Sequence, residues 1–240
     1  MVRLYRSAER VELNHGIEFA SKRMMKAVPV LKDDVLMVRG SGMIPGTLEL
    51  RELKTEVIRK SIHFLIALSP SMAAISRPFT IILLMMGTLV YTYMEVARLS
   101  GIEIPLISSL TNMASRSRDR GHFVLGPVTL GIGSSLALLL YPDPAASIGI
   151  YALAFGDGFA SLVGKMVGRI RPAFLLGKSI EGSAACFTAV LFTAYQVSGD
   201  YKTALLAAVS TTVIEALPLN DYDNLVIPLV VGLVVHLAGL

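Results

Sequence analysis

The sequence contains one cysteine, Cys186, and no tryptophan among its 240 residues. A single cysteine excludes an internal disulfide and a metal cluster built on cysteines. Charge is also scarce over most of the chain. Residues 61–240 contain ten basic and ten acidic residues, so the net charge of +4 comes entirely from residues 1–60. A basic first quarter favours contact with anionic lipid headgroups over contact with nucleic acid.

Apolar residues are abundant. They make up 53% of the chain, and the mean hydropathy is +0.63, whereas soluble domains contain about 45–50% apolar residues. Apolar runs long enough to cross a hydrocarbon core of about 30 Å alternate with short polar breaks from residue 61 onward. They predict an all-α fold, a polytopic transmembrane helix bundle of about seven spans, with six as the alternative. The predicted spans lie near 61–76, 78–98, 123–141, 145–167, 182–198, 203–218 and 223–240.

The charges between these spans predict how the chain is organised. Residues 1–50 contain no convincing span and are expected to form a short cytoplasmic or interfacial segment, followed by a transmembrane domain over residues 51–240. Ser69 and Pro70 favour a kink or a re-entrant turn in the first span. Positive charge is retained on the cytoplasmic side, which places the N-terminus and the basic loops there and predicts a multi-pass protein of a prokaryotic inner membrane. The basic loop residues are Arg116, Arg118, Arg120, Lys165, Arg169, Arg171 and Lys178.

The segment from Gly156 to Arg169 combines acidic, basic and glycine residues inside an apolar region. On a helix, one broad stripe contains Asp157, Ser161, Gly164, Lys165 and Gly168. Magnesium is usually held by one or two carboxylates together with substrate phosphates, which suits Asp157. Lys165 and Arg169 suit phosphate oxygens. The alternative is a helix-packing face with small residues and an Asp157–Lys165 ion pair.

Gly177, Lys178 and Ser179 look like the end of a Walker A loop, but the leading glycine of that pattern would fall on Pro172. The segment is instead the entry to the fifth predicted span, with Lys178 and Glu181 at the headgroup boundary. The alternative for Lys178 is snorkelling of a lysine at the end of a span.

Further acidic residues are placed where a site could use them. Glu95 and Arg98 share one helix face, and the spacing fits an intrahelical ion pair as well as a site. Glu215 lies inside a predicted span, where a carboxylate should face the bundle interior. Asp221 and Asp223 precede the last span.

Taken together, these segments resemble the membrane-embedded family that includes dolichol kinase, phytol kinase and the CTP-dependent diacylglycerol kinase. The resemblance covers roughly residues 52–230. It rests on Glu56-x-x-Arg59-Lys60-x-x-His63, Glu95-x-x-Arg98, Gly156-Asp157 to Gly168, Gly177-Lys178-Ser179-x-Glu181-Gly182, Glu215-Ala216-x-Pro218 and Asp223-Asn224-Leu225 to Pro228.

The resemblance implies an enzyme that transfers the γ-phosphate of CTP, or of another nucleoside triphosphate, to the hydroxyl of a polyprenol, another isoprenoid alcohol or diacylglycerol, with Mg²⁺ or another divalent cation. On this hypothesis Asp157 binds the metal with Glu181 or Asp223, and Lys165, Arg169 and Lys178 hold the triphosphate. The hydroxyl would be activated by Asp221, Asp223, Glu95 or Glu215, among which spacing does not choose. The other candidates for the nucleotide site are Gly156, Ser161, Gly164, Gly168, Ser179 and Arg98.

Two other functions fit parts of the pattern. A phosphatidate cytidylyltransferase would also use CTP, a metal and a membrane substrate, but the sequence lacks the late Gly-His-Gly-Gly-type segment that such enzymes carry. A transporter would place charges along a pathway through the bilayer, whereas here they cluster toward one predicted face. The sequence does not indicate which lipid is the acceptor or what the oligomeric state is.

Overall fold

Helices account for the architecture, and no strand occurs in residues 46–102 and 121–239, the part of the chain that the computed structural model describes. The all-α prediction is therefore confirmed. The α-helices are α1 (Gly46–Ile66), α2 (Leu68–Leu99), α3 (Gly126–Leu140), α4 (Ala145–Tyr151), α5 (Gly158–Met166), α6 (Ile180–Ser198), α7 (Tyr201–Ala216) and α8 (Asp223–Leu237). A π-helix, Ala152–Asp157, joins α4 to α5, and 3₁₀ turns occur at Ala173–Leu175 and Asn220–Tyr222.

Two stretches of the described residues are long and apolar enough to cross a membrane, by length and composition: Leu53–Leu99 and Ala145–Met166. The most apolar part of the first is only 11% buried in the protein, whereas that of the second is 61% buried. Ala145–Met166 is therefore a central element, and the α2 side of the fold presents apolar side chains outward. Seven spans remain a prediction. Residues 1–45 and the arginines Arg116, Arg118 and Arg120 lie outside the described residues.

The first predicted span, 61–76, differs in detail from the observed helices. The helix already begins at Gly46, is interrupted at Ala67, and kinks at Ser76, whose φ of −153° and ψ of 99° are not helical. Pro70 lies in the first turn of α2, where a proline displaces no hydrogen bond. The kink instead precedes Pro78, which lacks an N–H and crowds the preceding turn.

Local signals in the sequence explain where α6 and α7 begin and end. Ser179 caps α6 by accepting a hydrogen bond from the Gly182 amide at 3.1 Å, and Gly199 ends it with a φ of +67°. Asp200 caps α7 by accepting from the Thr203 amide at 2.8 Å. The helix stops at Leu217, whose extended backbone is the conformation that a following proline, here Pro218, favours.

The core is built from small residues that let helices approach closely. The π-helix is buried through Ala152, Leu153 and Ala154. Helix α8 packs against α4 so closely that a Cβ on Gly149 would lie 2.5 Å from the Pro228 carbonyl oxygen. Close packing through small residues is a common way for apolar helices to associate.

Candidate functional site

A charged stripe runs along α1 and faces the interior of the bundle. Glu56, Arg59, Lys60 and His63 follow the i, i+3, i+4, i+7 spacing of one helix face. Glu56, Lys60 and His63 are buried, and Arg59 is mostly buried. Ionisable groups almost never become fully buried unless they are paired, so the partners of this stripe define the site.

The first partner is Asp157, at the end of the π-helix. The Lys60 ammonium pairs with Asp157 Oδ2, and the two side chains are only 1% and 3% exposed. His63 Nδ1 lies 3.2 Å from the same oxygen. This group is completely enclosed, and removing one member of such a pair leaves an uncompensated buried charge.

The second partner is Lys165, on α5. Its Nζ donates to Glu56 Oε2 at 2.6 Å, while Arg59 pairs with the other oxygen of the same carboxylate. Asp157 and Lys165 are eight residues apart, about 12 Å along a helix, which explains why each is paired with α1 and not with the other. The stripe therefore contacts the glycine-rich segment at two positions about two helical turns apart.

The loop between α5 and α6 is folded back on α5 by its own polar groups. Glu181 Oε1 accepts hydrogen bonds from the amides of Arg169 and Ile170 at 3.0 and 3.2 Å. These amides hold the pKa of Glu181 below its usual value. Arg171 donates to the carbonyl oxygens of Gly164 and Gly177 at 2.8 and 2.7 Å.

Gly168 and Gly182 make this close approach possible. A Cβ on Gly168 would lie 2.5 Å from Ser179 Oγ, and one on Gly182 would lie 2.7 Å from the Ala160 carbonyl oxygen. Neither position has room for a side chain. The glycines thus hold the loop and the start of α6 against α5.

A cavity of about 160 Å³ lies between these elements. On one side Lys165 contacts Glu56, and on the other Lys178 Nζ donates to Glu215 Oε1 at 2.5 Å. Ser183 Oγ is buried without a hydrogen-bond partner in the described part of the chain. The cavity is lined by Glu56, Ala160, Ser161, Gly164, Lys165, Arg171, Lys178, Ser179, Gly182, Ser183 and Glu215.

The structure thus brings together six of the residues predicted for the site: Ser161, Gly164, Lys165, Lys178, Ser179 and Glu215 line the cavity. Asp157 lies beside it, since Ser161 Oγ is 3.5 Å from Asp157 Oδ1. Asp221 Oδ1 is 3.9 Å from Arg59 Nη1. Asp223 interacts electrostatically with Asp157 and with Lys60 and Arg59.

The other predicted residues have different surroundings. Glu95 and Arg98 form a two-bond ion pair at 2.7 and 2.8 Å, and they also hold the chain at the Val124 amide and the His122 carbonyl. The Arg169 side chain is exposed, and Gly168 and Glu181 shape the loop. Gly156 packs in the core, where a Cβ would be 2.8 Å from Val190 Cγ2. None of the six lines the cavity.

The carboxylates near the cavity are of the type that holds a divalent cation. Among the described residues, no three acidic, histidine or cysteine side chains come together as a metal-binding group. Mg²⁺ does not require one, because it is commonly held by one or two carboxylates plus substrate phosphates. Asp157, beside the cavity, and Asp223, which interacts with it electrostatically, are carboxylates of that kind, whereas both oxygens of Glu181 already face the loop amides.

Comparison with known proteins identifies the relatives of this chain. It is 29% identical over 194 residues to a dolichol kinase of Arabidopsis thaliana, an alignment that covers 72% of this chain and 34% of the relative. It is 31% identical over 139 residues to a phytol kinase of Synechocystis, covering 52% and 57%. A probable chloroplastic phytol kinase of Triticum aestivum is 29% identical over 147 residues, covering 54% and 49%.

The chain is a relative of the phytol and dolichol kinases. This confirms the resemblance seen in the motifs. The chain spans about half the length of the phytol kinases and a third of the dolichol kinase. No family model matches the chain, and no solved structure matches it.

Four residues of this centre, Glu56, Arg59, Lys60 and His63, belong to the motifs of the resemblance but not to the candidate site residues predicted from the sequence. Their spacing was the available signal, because four polar residues on one face of a helix that enters an apolar region must face something polar. Arg171 and Ser183 carry no comparable signal.

Proposed function

We propose that this chain is a membrane-embedded lipid kinase that transfers the γ-phosphate of CTP, or of another nucleoside triphosphate, to the hydroxyl of an isoprenoid alcohol. The names of the relatives, phytol kinase and dolichol kinase, support the acceptor class. They also favour an isoprenoid alcohol over diacylglycerol. CTP and Mg²⁺ come from the resemblance of the motifs.

The observation that carries the proposal is the cavity with a lysine on each side. Phosphoryl transfer requires mainly that the reacting oxygens be positioned and that negative charge be neutralised. Lys165, Lys178 and Arg171 supply positive charge, and Ser161, Ser179 and Ser183 supply hydroxyl donors. At about 160 Å³ the cavity is below the roughly 300–1,000 Å³ of whole-ligand pockets, so it would take the phosphates and leave the nucleoside outside.

The buried Lys60–Asp157–His63 group adjoins this cavity through Ser161, whose Oγ is 3.5 Å from Asp157 Oδ1, and would be the reaction centre. Asp157 and Asp223 would hold the divalent cation, which would supply positive charge to the phosphates. Lys60 would keep the Asp157 carboxylate in one position, and His63 Nδ1 lies 3.2 Å from the same oxygen. Asp221, whose Oδ1 lies 3.9 Å from Arg59 Nη1, would be a further carboxylate for orienting the alcohol.

Membrane embedding is part of the proposal. It is supported by the apolar stretches Leu53–Leu99 and Ala145–Met166 and by the apolar side chains that α2 exposes, such as Ile75, Phe79 and Leu89. The alcohol would reach the site from the hydrocarbon side, and the nucleotide from the cytoplasm.

The decisive experiment uses CTP labelled at the α or at the γ phosphate, with the purified protein, Mg²⁺ and vesicles containing phytol, a polyprenol, diacylglycerol or phosphatidic acid. A kinase transfers the γ label to the lipid, and the acceptor that is labelled identifies the substrate. Transfer of the α label would instead establish a cytidylyltransferase. If neither label reaches any lipid while ATP, GTP and UTP also fail, the kinase proposal is rejected.

A further inference from the structure

The two cavity lysines share an arrangement that the proposed reaction does not require. Each is paired with a glutamate from a helix outside the glycine-rich loop: Lys165 with Glu56 of α1 at 2.6 Å, and Lys178 with Glu215 of α7 at 2.5 Å. All four residues line the cavity. The two carboxylates therefore occupy the positions beside the lysine ammonium groups where phosphate groups would bind.

The exposed fractions show which partner can move. The lysine side chains are 39% and 36% exposed, whereas Glu56 and Glu215 are 1% and 3% exposed. A long, flexible, partly solvated lysine can turn toward a ligand, while the carboxylates are enclosed by protein. At each lysine, an incoming phosphate group would thus replace the glutamate carboxylate as the partner of the ammonium group.

We propose that Glu215 and Glu56 are resident anions of the nucleotide site. Each pairs with a cavity lysine while the site is empty, is replaced at that lysine by a phosphate group, and pairs with it again when the nucleotide leaves. This inference rests on the proposed function. It assigns the two glutamates to lowering the affinity for phosphate and so promoting release of the nucleoside diphosphate product. Charge balance agrees, since the cavity lining carries three cations and two carboxylates.

The two glutamates are not equivalent. When Lys165 turns away, Glu56 keeps its pairing with Arg59. Among the described residues, Lys178 is the one cation within 4 Å of Glu215, so its departure leaves a buried carboxylate without a partner. An unpaired buried charge is strongly unfavourable, so Glu215 competes with phosphate more strongly than Glu56 does.

Pyrophosphate is the probe, because it presents two linked phosphate groups without a nucleoside or a lipid. Its binding to the full chain in detergent is measured by titration calorimetry for the wild type, Glu215→Gln, Glu56→Gln and the reciprocal variants Lys178→Met and Lys165→Met. We expect Glu215→Gln to tighten binding about tenfold. We expect Glu56→Gln to tighten it less, and both lysine variants to weaken it.

The outcomes separate this inference from the proposed function. If the wild type binds pyrophosphate but neither glutamine variant binds it more tightly, the resident-anion role is wrong and the nucleotide site stands. If the wild type does not bind pyrophosphate at all, both are wrong. Thermal unfolding of each variant checks that it is folded, and if Glu215→Gln does not fold, the Glu56→Gln and Lys165→Met pair decides the question.

Discussion

Lys60 and Asp157 form an ion pair that joins α1 to the π-helix across 97 residues of sequence, in surroundings that exclude solvent from both side chains. This pair fixes the helix that carries the charged stripe against the helix that carries the glycine-rich segment. Both the stability of the fold and the proposed chemistry depend on it, and substitutions can separate the two contributions.

The single substitutions Lys60→Met and Asp157→Asn should each destabilise the protein by about 3–5 kcal/mol, because each leaves its partner buried and without a counter-charge. The double variant should recover much of that loss. The proposed kinase activity should stay at least about a hundredfold below wild type in all three. Unfolding in detergent and the labelled-CTP assay measure the two effects, and an active Asp157→Asn would refute the metal assignment.

Gly168→Ala should destabilise the protein by about 1–3 kcal/mol, because the new Cβ would lie 2.5 Å from Ser179 Oγ in a packed region. Gly87→Ala is the matched control. Its Cβ would meet nothing within 4 Å on α2, so an alanine there should be neutral or stabilising by up to about 1 kcal/mol. Equal effects of the two substitutions on the unfolding temperature would contradict the close packing of the loop on α5.

Acid should loosen the loop between α5 and α6. The amides of Arg169 and Ile170 hold the pKa of Glu181 below its unfolded value, so its contribution to stability is present above that unfolded value and is lost as the pH falls through the folded one. Hydrogen exchange of residues 168–171, corrected for the intrinsic rate, should therefore accelerate at acidic pH. Glu181→Gln should show faster exchange near neutral pH and little further change on acidification, and a wild-type-like pH profile in that variant would exclude this role.

Arg77 should stabilise the kink at Ser76. Its guanidinium donates to the carbonyl oxygens of Leu138, at 2.7 Å, and Tyr141, at the end of α3 where helix carbonyls lack partners. Arg77→Met should cost about 1–3 kcal/mol, and Arg77→Lys should recover only part of it, because lysine lacks the planar fork. Full recovery by lysine, measured as the unfolding temperature, would show that charge alone matters.

The sequence predicted what is local and missed what depends on tertiary pairing. The start of α6 after Ser179 and the end of α7 before Pro218 follow from capping and proline rules that act over a few residues. The cavity residues Lys165 and Lys178 were predicted because glycines and charges stand together within an apolar region. That Lys165 contacts Glu56 could not be predicted, because the two residues are 109 positions apart and helix periodicity orients a side chain without naming its partner. For Glu95 and Arg98, the spacing fitted a site and an ion pair equally. Only their contacts to the Val124 amide and the His122 carbonyl distinguish these two interpretations.

The π-helix at Ala152–Asp157 gives this segment a tolerance in length that the α-helix after it lacks. A π-turn holds one residue more than an α-turn, so losing one residue between Tyr151 and Asp157 would let the segment relax into an α-helix and leave Asp157 facing Lys60. In α5, by contrast, losing one residue between Gly158 and Lys165 would rotate the Lys165 side chain by about 100° relative to Asp157. A single-residue deletion in α5 should therefore be more damaging than one in the π-helix, even though every charged residue of the site is retained in both.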